Sequence, residues 1–205
     1  MVGPINDPTK EPLDMTTTTE LSPSIDLPPQ GDWELDPAHT VAGFVARYLM
    51  VTKVPGKFTD VAGTIHIAER PEDSWVEVSL GTASITTDHE DRDNHLKSPD
   101  FLDVANYPTI EFHSTRVEGA NGHWTVTGDL TIKGETRSVT LDLEYHGVVA
   151  DPWGGQRAAF TATTEINRED WGLTWNVALE AGGVLVGPKV TIEIETQGVL
   201  QIDQA

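Results

Sequence analysis

From Trp33 onward the hydrophobic positions recur mostly every second residue. That is the period of a strand with one buried face. Ile65 and Ile67 are interleaved with Thr64 and His66, Val76, Val78 and Leu80 with Glu77 and Ser79, and Ile110 and Phe112 with Glu111 and His113. Val126 sits between Thr125 and Thr127, ahead of Leu130 and Ile132. Val139, Leu141, Leu143 and Tyr145 oppose Thr140, Asp142, Glu144 and His146. Phe160 and Ala162 oppose Thr161 and Thr163, and Val190, Ile192 and Ile194 oppose Thr191, Glu193 and Glu195. One apolar and one polar face marks an antiparallel sheet with a solvated side.

The turn residues agree with this pattern. Asn121-Gly122 separates two alternating runs and is the strongest short hairpin signal in the chain. Lys133-Gly134-Glu135 and Asp151-Pro152-Trp153-Gly154-Gly155 separate two further pairs. About eight sequential strands joined by short turns predict an all-β fold, an eight-stranded antiparallel up-and-down barrel. A barrel of that strand number has room inside for side chains or for one small ligand.

Two stretches break the period. In the first, Leu49, Met50 and Val51 run on from Tyr48 before Pro55-Gly56. The second is the insertion from His89 to Tyr107, too long and too aromatic for a hairpin connection. Thr87 and Glu90 have capping-box spacing and predict a short helix through about Leu96. Ser98-Pro99-Asp100 reads as a second helix start, with proline at the first position. Both breaks carry apolar residues that need burial, and the barrel mouth is the nearest place for them. The insertion is expected to close the barrel, with Phe101 and Leu102 inward and Arg92, Asp93 and Lys97 facing solvent or pairing locally.

Residues 1–30 have another character. They hold Pro4, Pro8, Pro12, Pro23, Pro28 and Pro29, a run of four threonines and almost no apolar periodicity. Such a composition predicts a disordered, acidic, Pro/Thr-rich tail that is dispensable for binding, with the barrel occupying residues 31–205. Met15 is an alternative start within it. The remaining 175 or so residues suffice for a core without disulfides or metals.

Charge narrows the partners. The net charge is −20, from 33 acidic and 13 basic residues. Phosphate backbones and anionic headgroups are repelled by such a surface, so nucleic acid is not an expected partner. With no cysteine, disulfides and thiolate chemistry are absent. No run of roughly 18 apolar residues predicts a membrane helix. No basic stretch followed by an apolar one reads as a secretory signal, and cytoplasmic location is the default expectation. The oligomeric state, monomer or homodimer, stays open.

Chemistry-bearing motifs are few. His89, Asp91, Asp93 and His95 are metal-ligating types. The two histidines lie six apart, off the spacing that places ligands on one helical face, and a solvated helix with ion pairs explains the same residues. There is no Gly-x-Ser-x-Gly elbow, dinucleotide fingerprint or phosphate loop. The acids allow a glycosidase pair but single none out. No catalytic residue, metal or cofactor is assigned. The aromatics Phe44, Phe101, Phe112, Phe160, Trp171 and Trp175 fall on apolar faces or in the irregular stretches, as either core or the lining of an apolar pocket.

Five ordered motifs carry a family resemblance. They are Asp36-Pro37-Ala38-His39-Thr40 followed by Phe44; Arg47 to Met50 with Val54-Pro55-Gly56-Lys57-Phe58; Arg92 to Val104 with Tyr107-Pro108 and Phe112; Gly128-Asp129-Leu130-Thr131-Ile132-Lys133-Gly134; and Ile166-Asn167-Arg168-Glu169-Asp170-Trp171-Gly172-Leu173. From about Trp33 to Leu200 the chain resembles the YceI-like domain, a lipocalin-like family of polyisoprenoid-binding proteins. The resemblance implies an extended eight-stranded barrel with a helical insertion. It also implies a long apolar tunnel for an isoprenoid or similar lipid chain, such as a quinone-like or polyprenyl molecule. The chain departs from the family in Tyr48, where histidine is common, and in the signal peptide of exported members.

The expectation is therefore a non-enzymatic lipid carrier. Its tunnel would be lined by Phe44, Leu49, Phe101, Leu102, Phe112, Leu130, Ile132, Leu141, Phe160 and Ile192, and its partner would be an isoprenoid or other long-chain lipid, without stable membrane insertion. Two alternatives stand beside it. One is a small-molecule enzyme with a polar site or metal at the barrel mouth; the other is an interaction module whose barrel is filled by its own side chains.

Overall fold

The computed structural model describes residues 27–152, 154–180 and 182–201. Eleven strand segments and one helix follow in chain order: β1 (Gly31–Leu35), β2 (Val41–Tyr48), β3 (Thr52–Phe58), β4 (Val61–Ile67), β5 (Trp75–Gly81), β6 (Ile85–Thr86), α1 (Glu90–Lys97), β7 (Thr109–Ala120), β8 (His123–Ile132), β9 (Glu135–Ala150), β10 (Gln156–Asn167) and β11 (Val186–Leu200).

The pairings reduce these segments to eight spans. β2 pairs with β3, and β1 with β4, so β1–β2 and β3–β4 are each one span interrupted in the middle. β5 pairs with β4, and β6 with β3, so β5–β6 is a third interrupted span. From β5 the sheet runs on through β7, β8, β9, β10 and β11. β11 returns to both halves of the first span, pairing with β1 near its end and with β2 before that. The result is a closed, eight-stranded antiparallel up-and-down barrel.

The interruptions are stitched together. Asp36 caps a 3-10 turn at Pro37–His39, accepting from the Ala38 N–H at 2.9 Å. Ser84, in the 3-10 turn Thr82–Ser84, accepts from the N–H groups of Thr59 and Asp60, both at 3.0 Å. Backbone groups freed at the first two breaks thus find side-chain partners, and at the third the Thr82 N–H donates to Pro108 O at 2.9 Å.

Alternation holds along the walls. Leu141 and Tyr145 are buried while Thr140, Asp142, Glu144 and His146 are exposed. The buried residues form two clusters. One gathers Ile85, Leu102, Phe112, Val126, Leu130, Leu141 and Trp171, among others, toward the α1 end. The second gathers Trp33, Leu35, Val61, Ile65, Tyr145 and Phe160 around the first interrupted spans. Two glycines make room for rings. A β-carbon at Gly56 would collide with the Phe44 ring, and one at Gly128 with the Phe112 ring.

Most of the expected disordered tail, residues 1–26, lies outside the described residues. The folded unit begins ahead of the boundary expected at Gly31. Leu27 packs against both clusters, Pro28 is buried, and the Pro29 carbonyl accepts from the Trp33 indole N–H at 3.0 Å.

Two helix expectations are corrected. α1 spans Glu90–Lys97, but its N-cap is His89, whose Nδ1 accepts from the Arg92 N–H at 3.4 Å. Thr87 is otherwise engaged, donating backbone N–H and hydroxyl to Asp93 Oδ1 at 2.8 and 2.5 Å. No second helix starts at Ser98. There the chain folds back, with Leu102 N–H donating to Leu96 O at 3.0 Å and Val104 N–H to Lys97 O at 3.1 Å. Those bonds satisfy the last carbonyls of α1, and Asp103 takes a left-handed φ of 49° that a continuing helix excludes.

Candidate functional site

The barrel encloses a cavity of about 260 Å³ with an almost wholly apolar wall. Both core clusters contribute to that wall, so the cavity runs between them along the barrel. At the α1 end it is bounded by Leu96, Phe101, Leu102, Leu173 and Val186. Away from that end the wall continues past Leu35 and Val61 to Ile65 and Val76, and the Thr40 and Thr196 hydroxyls on it lie 2.7 Å apart. The barrel is thus not filled by its own side chains.

Nine of the ten residues expected to line a tunnel are on this wall: Phe44, Phe101, Leu102, Phe112, Leu130, Ile132, Leu141, Phe160 and Ile192. Each belongs to the inward set of its strand or to the returning chain after α1. Leu49 is not among them. It lies in the turn between β2 and β3 and is 40 % exposed, and its neighbours Tyr48, Met50 and Val51 are 43, 49 and 73 % exposed. The expectation that this apolar run is buried at the barrel mouth is therefore corrected. Leu49 and Met50 have φ of 50° and 63°, and this left-handed turn carries their side chains away from the wall.

The insertion is held from below by a buried carboxylate. Asp93 is 9 % exposed and accepts from Thr87 N–H, Thr87 Oγ1 and Thr86 Oγ1. Burial alone would raise its pKa, but the hydrogen bonds from Thr87 and Thr86 and the nearby Arg92 outweigh that and lower it. Asp93 pairs locally, as expected, yet it is buried rather than solvated. Arg92 completes the contact through Nε to Thr87 Oγ1 at 2.6 Å and Nη2 to Thr87 O at 2.9 Å. Above it, His95 stands edge-on to Phe101 and Trp175 with centroids 5.0 and 4.5 Å apart. Its Nε2 is 2.9 Å from Asp100. These rings cover one end of the cavity.

His89, Asp91, Asp93 and His95 do not converge, because each has a separate partner or points to solvent. Among the described residues no group of three or more His, Asp or Glu side chains is placed to hold a metal ion.

Arg168 is the one ionisable side chain on the cavity wall among the described residues. It is 4 % exposed. Its Nε donates to Gly187 O at 3.1 Å, Nη2 to Val186 O at 3.3 Å, and Nη1 to Leu173 O. Burial pushes the guanidinium pKa down, and Glu169 opposes that. Around it, Asn167 caps the 3-10 turn Arg168–Trp171, and Gly172 ends the turn in a left-handed conformation. The Trp171 indole crosses to donate to Leu130 O at 3.0 Å. One short motif thereby fastens the 173–186 segment to the barrel rim.

Comparison with known proteins places this architecture. The model of the YceI-like domain matches residues 33–198. The chain belongs to the YceI-like domain family. Among its relatives is a UPF0312 protein of Pseudomonas savastanoi pv. phaseolicola, 42% identical over 138 residues, which are 66% of this chain and 71% of that protein. Among solved structures, Burkholderia cenocepacia BcnA superposes with a TM-score of 0.68 at 20% identity, covering 80% of this chain and 98% of the other. A polyisoprenoid binding domain from Saccharophagus degradans, implicated in plant cell wall breakdown, superposes at 0.63 and 14% identity, covering 84% and 100%. At these identities the structural likeness establishes the fold.

In this YceI-like domain the wall also includes residues that the alternating pattern left unremarked. Ala42 and Ala46 face the cavity, and their small side chains, with that of Ala162, help to leave the space open. Arg168 carried no separate signal, since an arginine beside Glu169 and Asp170 in sequence reads as a surface ion pair.

Proposed function

We propose that this YceI-like domain binds the chain of an isoprenoid or similar amphiphilic lipid, quinone-like or polyprenyl, and serves to transport, store or sequester it. The observation that carries this reading is the apolar cavity running between the two core clusters of a closed barrel. Each methylene moved from water into such a space contributes about 0.8 kcal/mol, so chain length supplies affinity without polar contacts. A structural relative described as a polyisoprenoid binding domain supports the ligand class.

A binding role fits the wall better than catalysis does. An enzyme in the barrel needs titratable groups converging on a substrate. Among the described residues Arg168 is the one ionisable side chain on the wall, and three of its five N–H groups are already given to carbonyls. Its end of the cavity suits the polar end of an amphiphile.

The test is mass spectrometry of the organic extract of natively purified protein, beside an Ala162→Phe variant. Ala162 is buried on the wall, paired across the sheet with Leu143 and Ile194, and a ring there occupies the cavity. The expected result is a prenyl-chain amphiphile at near-stoichiometric level in the wild type and its loss in the folded variant. A wild-type protein that yields no lipid, and takes up none from added prenyl quinone, would falsify the reading.

A further inference from the structure

The hairpin from Val41 to Phe58, formed by β2 and β3, contains Arg47, Lys53 and Lys57 and no aspartate or glutamate. It does so in a chain of net charge −20. Its tip is the exposed apolar run at Leu49, Met50 and Val51. Two unfavourable features coincide there. Apolar side chains stand in water, and two long side chains occupy consecutive left-handed positions that glycine or asparagine fills at least cost. Such an outlier points toward a function for the tip.

The tip also stands at the cavity rim. Leu49 N–H donates to Leu185 O at 2.8 Å, Tyr48 is paired with Val186, and Val186 lines the cavity.

We propose that the β2–β3 tip is a docking surface for an anionic lipid bilayer. Leu49, Met50 and Val51 enter the interface, and Arg47 and Lys53 meet headgroup phosphates. The inference rests on the lipid-binding reading and names where the lipid is exchanged. Charge complementarity decides for a bilayer: an apolar tip flanked by cations is the pattern of interfacial anchors. Acids do lie near it. Glu165 pairs with Lys189 at 2.5 Å, Glu193 lies on the neighbouring strand, and Glu180 is on the adjoining segment. The overall charge of −20 opposes an anionic surface, but screening with a Debye length of about 8 Å at physiological salt gives the residues nearest the bilayer, the cations of this hairpin among them, the greatest weight.

The experiment is flotation of the full chain with vesicles of phosphatidylcholine alone or with added phosphatidylglycerol, at low and high salt. A Leu49→Asn/Met50→Gly variant is run in parallel. Asparagine and glycine suit the left-handed turn, so this variant is expected to melt at the wild-type temperature or above it while lacking the apolar tip. The wild type should float with the anionic vesicles, less so at high salt, and the variant should bind about tenfold or more weakly. A wild type that floats with neither composition, or a variant that floats equally well, overturns the proposal. Sedimentation velocity covers the other occupant. A concentration-dependent dimer that disappears in the variant, without wild-type flotation, assigns the tip to a second copy of the chain and also overturns it. Lipid retained by the same samples is measured separately. Retention without flotation defeats docking and leaves the carrier standing, whereas flotation without retention defeats the carrier and leaves docking standing.

Discussion

The Asp36 carboxylate gathers three partners from two directions. Oδ1 accepts from Ala38 N–H at 2.9 Å, and Oδ2 meets His39 Nδ1 at 2.9 Å and the Arg157 guanidinium. The Arg157 contact is the largest influence, burial opposes it, and His39 and Ala38 add to it; together they lower the pKa from 3.8 to about 2. A folded-state pKa below the unfolded value stabilises the fold above about pH 4, and that stability is lost as pH falls toward the folded pKa. With the carboxylate mostly covered but near solvent, the contribution is about 1 to 2 kcal/mol. Asp36→Asn should therefore melt below the wild type near neutral pH, and the gap should close toward about pH 2. Thermal unfolding of both proteins across that range checks this, and a gap that stays constant rules it out.

At the scale of elements, α1 and the chain that follows it depend on tertiary contacts. An isolated helix of eight residues is marginal in water. The Asp93–Thr87 bonds hold it to the barrel, and Leu96, Phe101 and Leu102 carry its apolar attachment. Phe101→Ala should cost about 3 to 4 kcal/mol in urea unfolding and reduce lipid retention, because it removes a buried ring that touches both His95 and Trp175. Asp91→Ala, on the exposed side of α1, should change stability by less than about 0.5 kcal/mol. Equal stability and retention in the Phe101 variant would show that the ring is not part of the closure.

The same elements show what the sequence made legible. Asn121-Gly122 and Lys133-Gly134 have φ of 56°, 81°, 51° and 77°, and the glycines announced both turns. Leu49 and Met50 adopt similar φ with residue types that carry no turn signal, so their exposure was not readable. Strand faces were readable because a period of two leaves only two registers, and only one of them buries the apolar set. Thr87 and Ser98 resemble helix caps locally, but each hydroxyl or backbone group is claimed by a contact that the spacing does not encode: Asp93 for Thr87, and the fold-back after α1 for Ser98. Arg168 stands in one of the family motifs, but its place on the cavity wall was not readable for the same reason, since its partners lie on carbonyls up to 19 residues away.

For the whole molecule, closure of eight spans into one barrel creates the cavity and ties its occupancy to global stability. A ligand that binds the folded chain and not the unfolded one stabilises it by about 2.7 kcal/mol at a hundredfold excess over Kd. For a chain of this size each kcal/mol moves the melting temperature by about 2 to 4 °C. Delipidated wild type given a prenyl quinone at that excess should therefore melt roughly 5 to 10 °C higher. Ala162→Phe, with a ring occupying the space, should show no such shift. The Leu49→Asn/Met50→Gly variant should show the full shift when ligand is supplied in detergent, since its tip lies outside the cavity wall. Differential scanning calorimetry of the three proteins with and without ligand separates the roles. A shift that survives Ala162→Phe would place the lipid outside the barrel, and one abolished by the tip variant would make the hairpin part of the binding site itself.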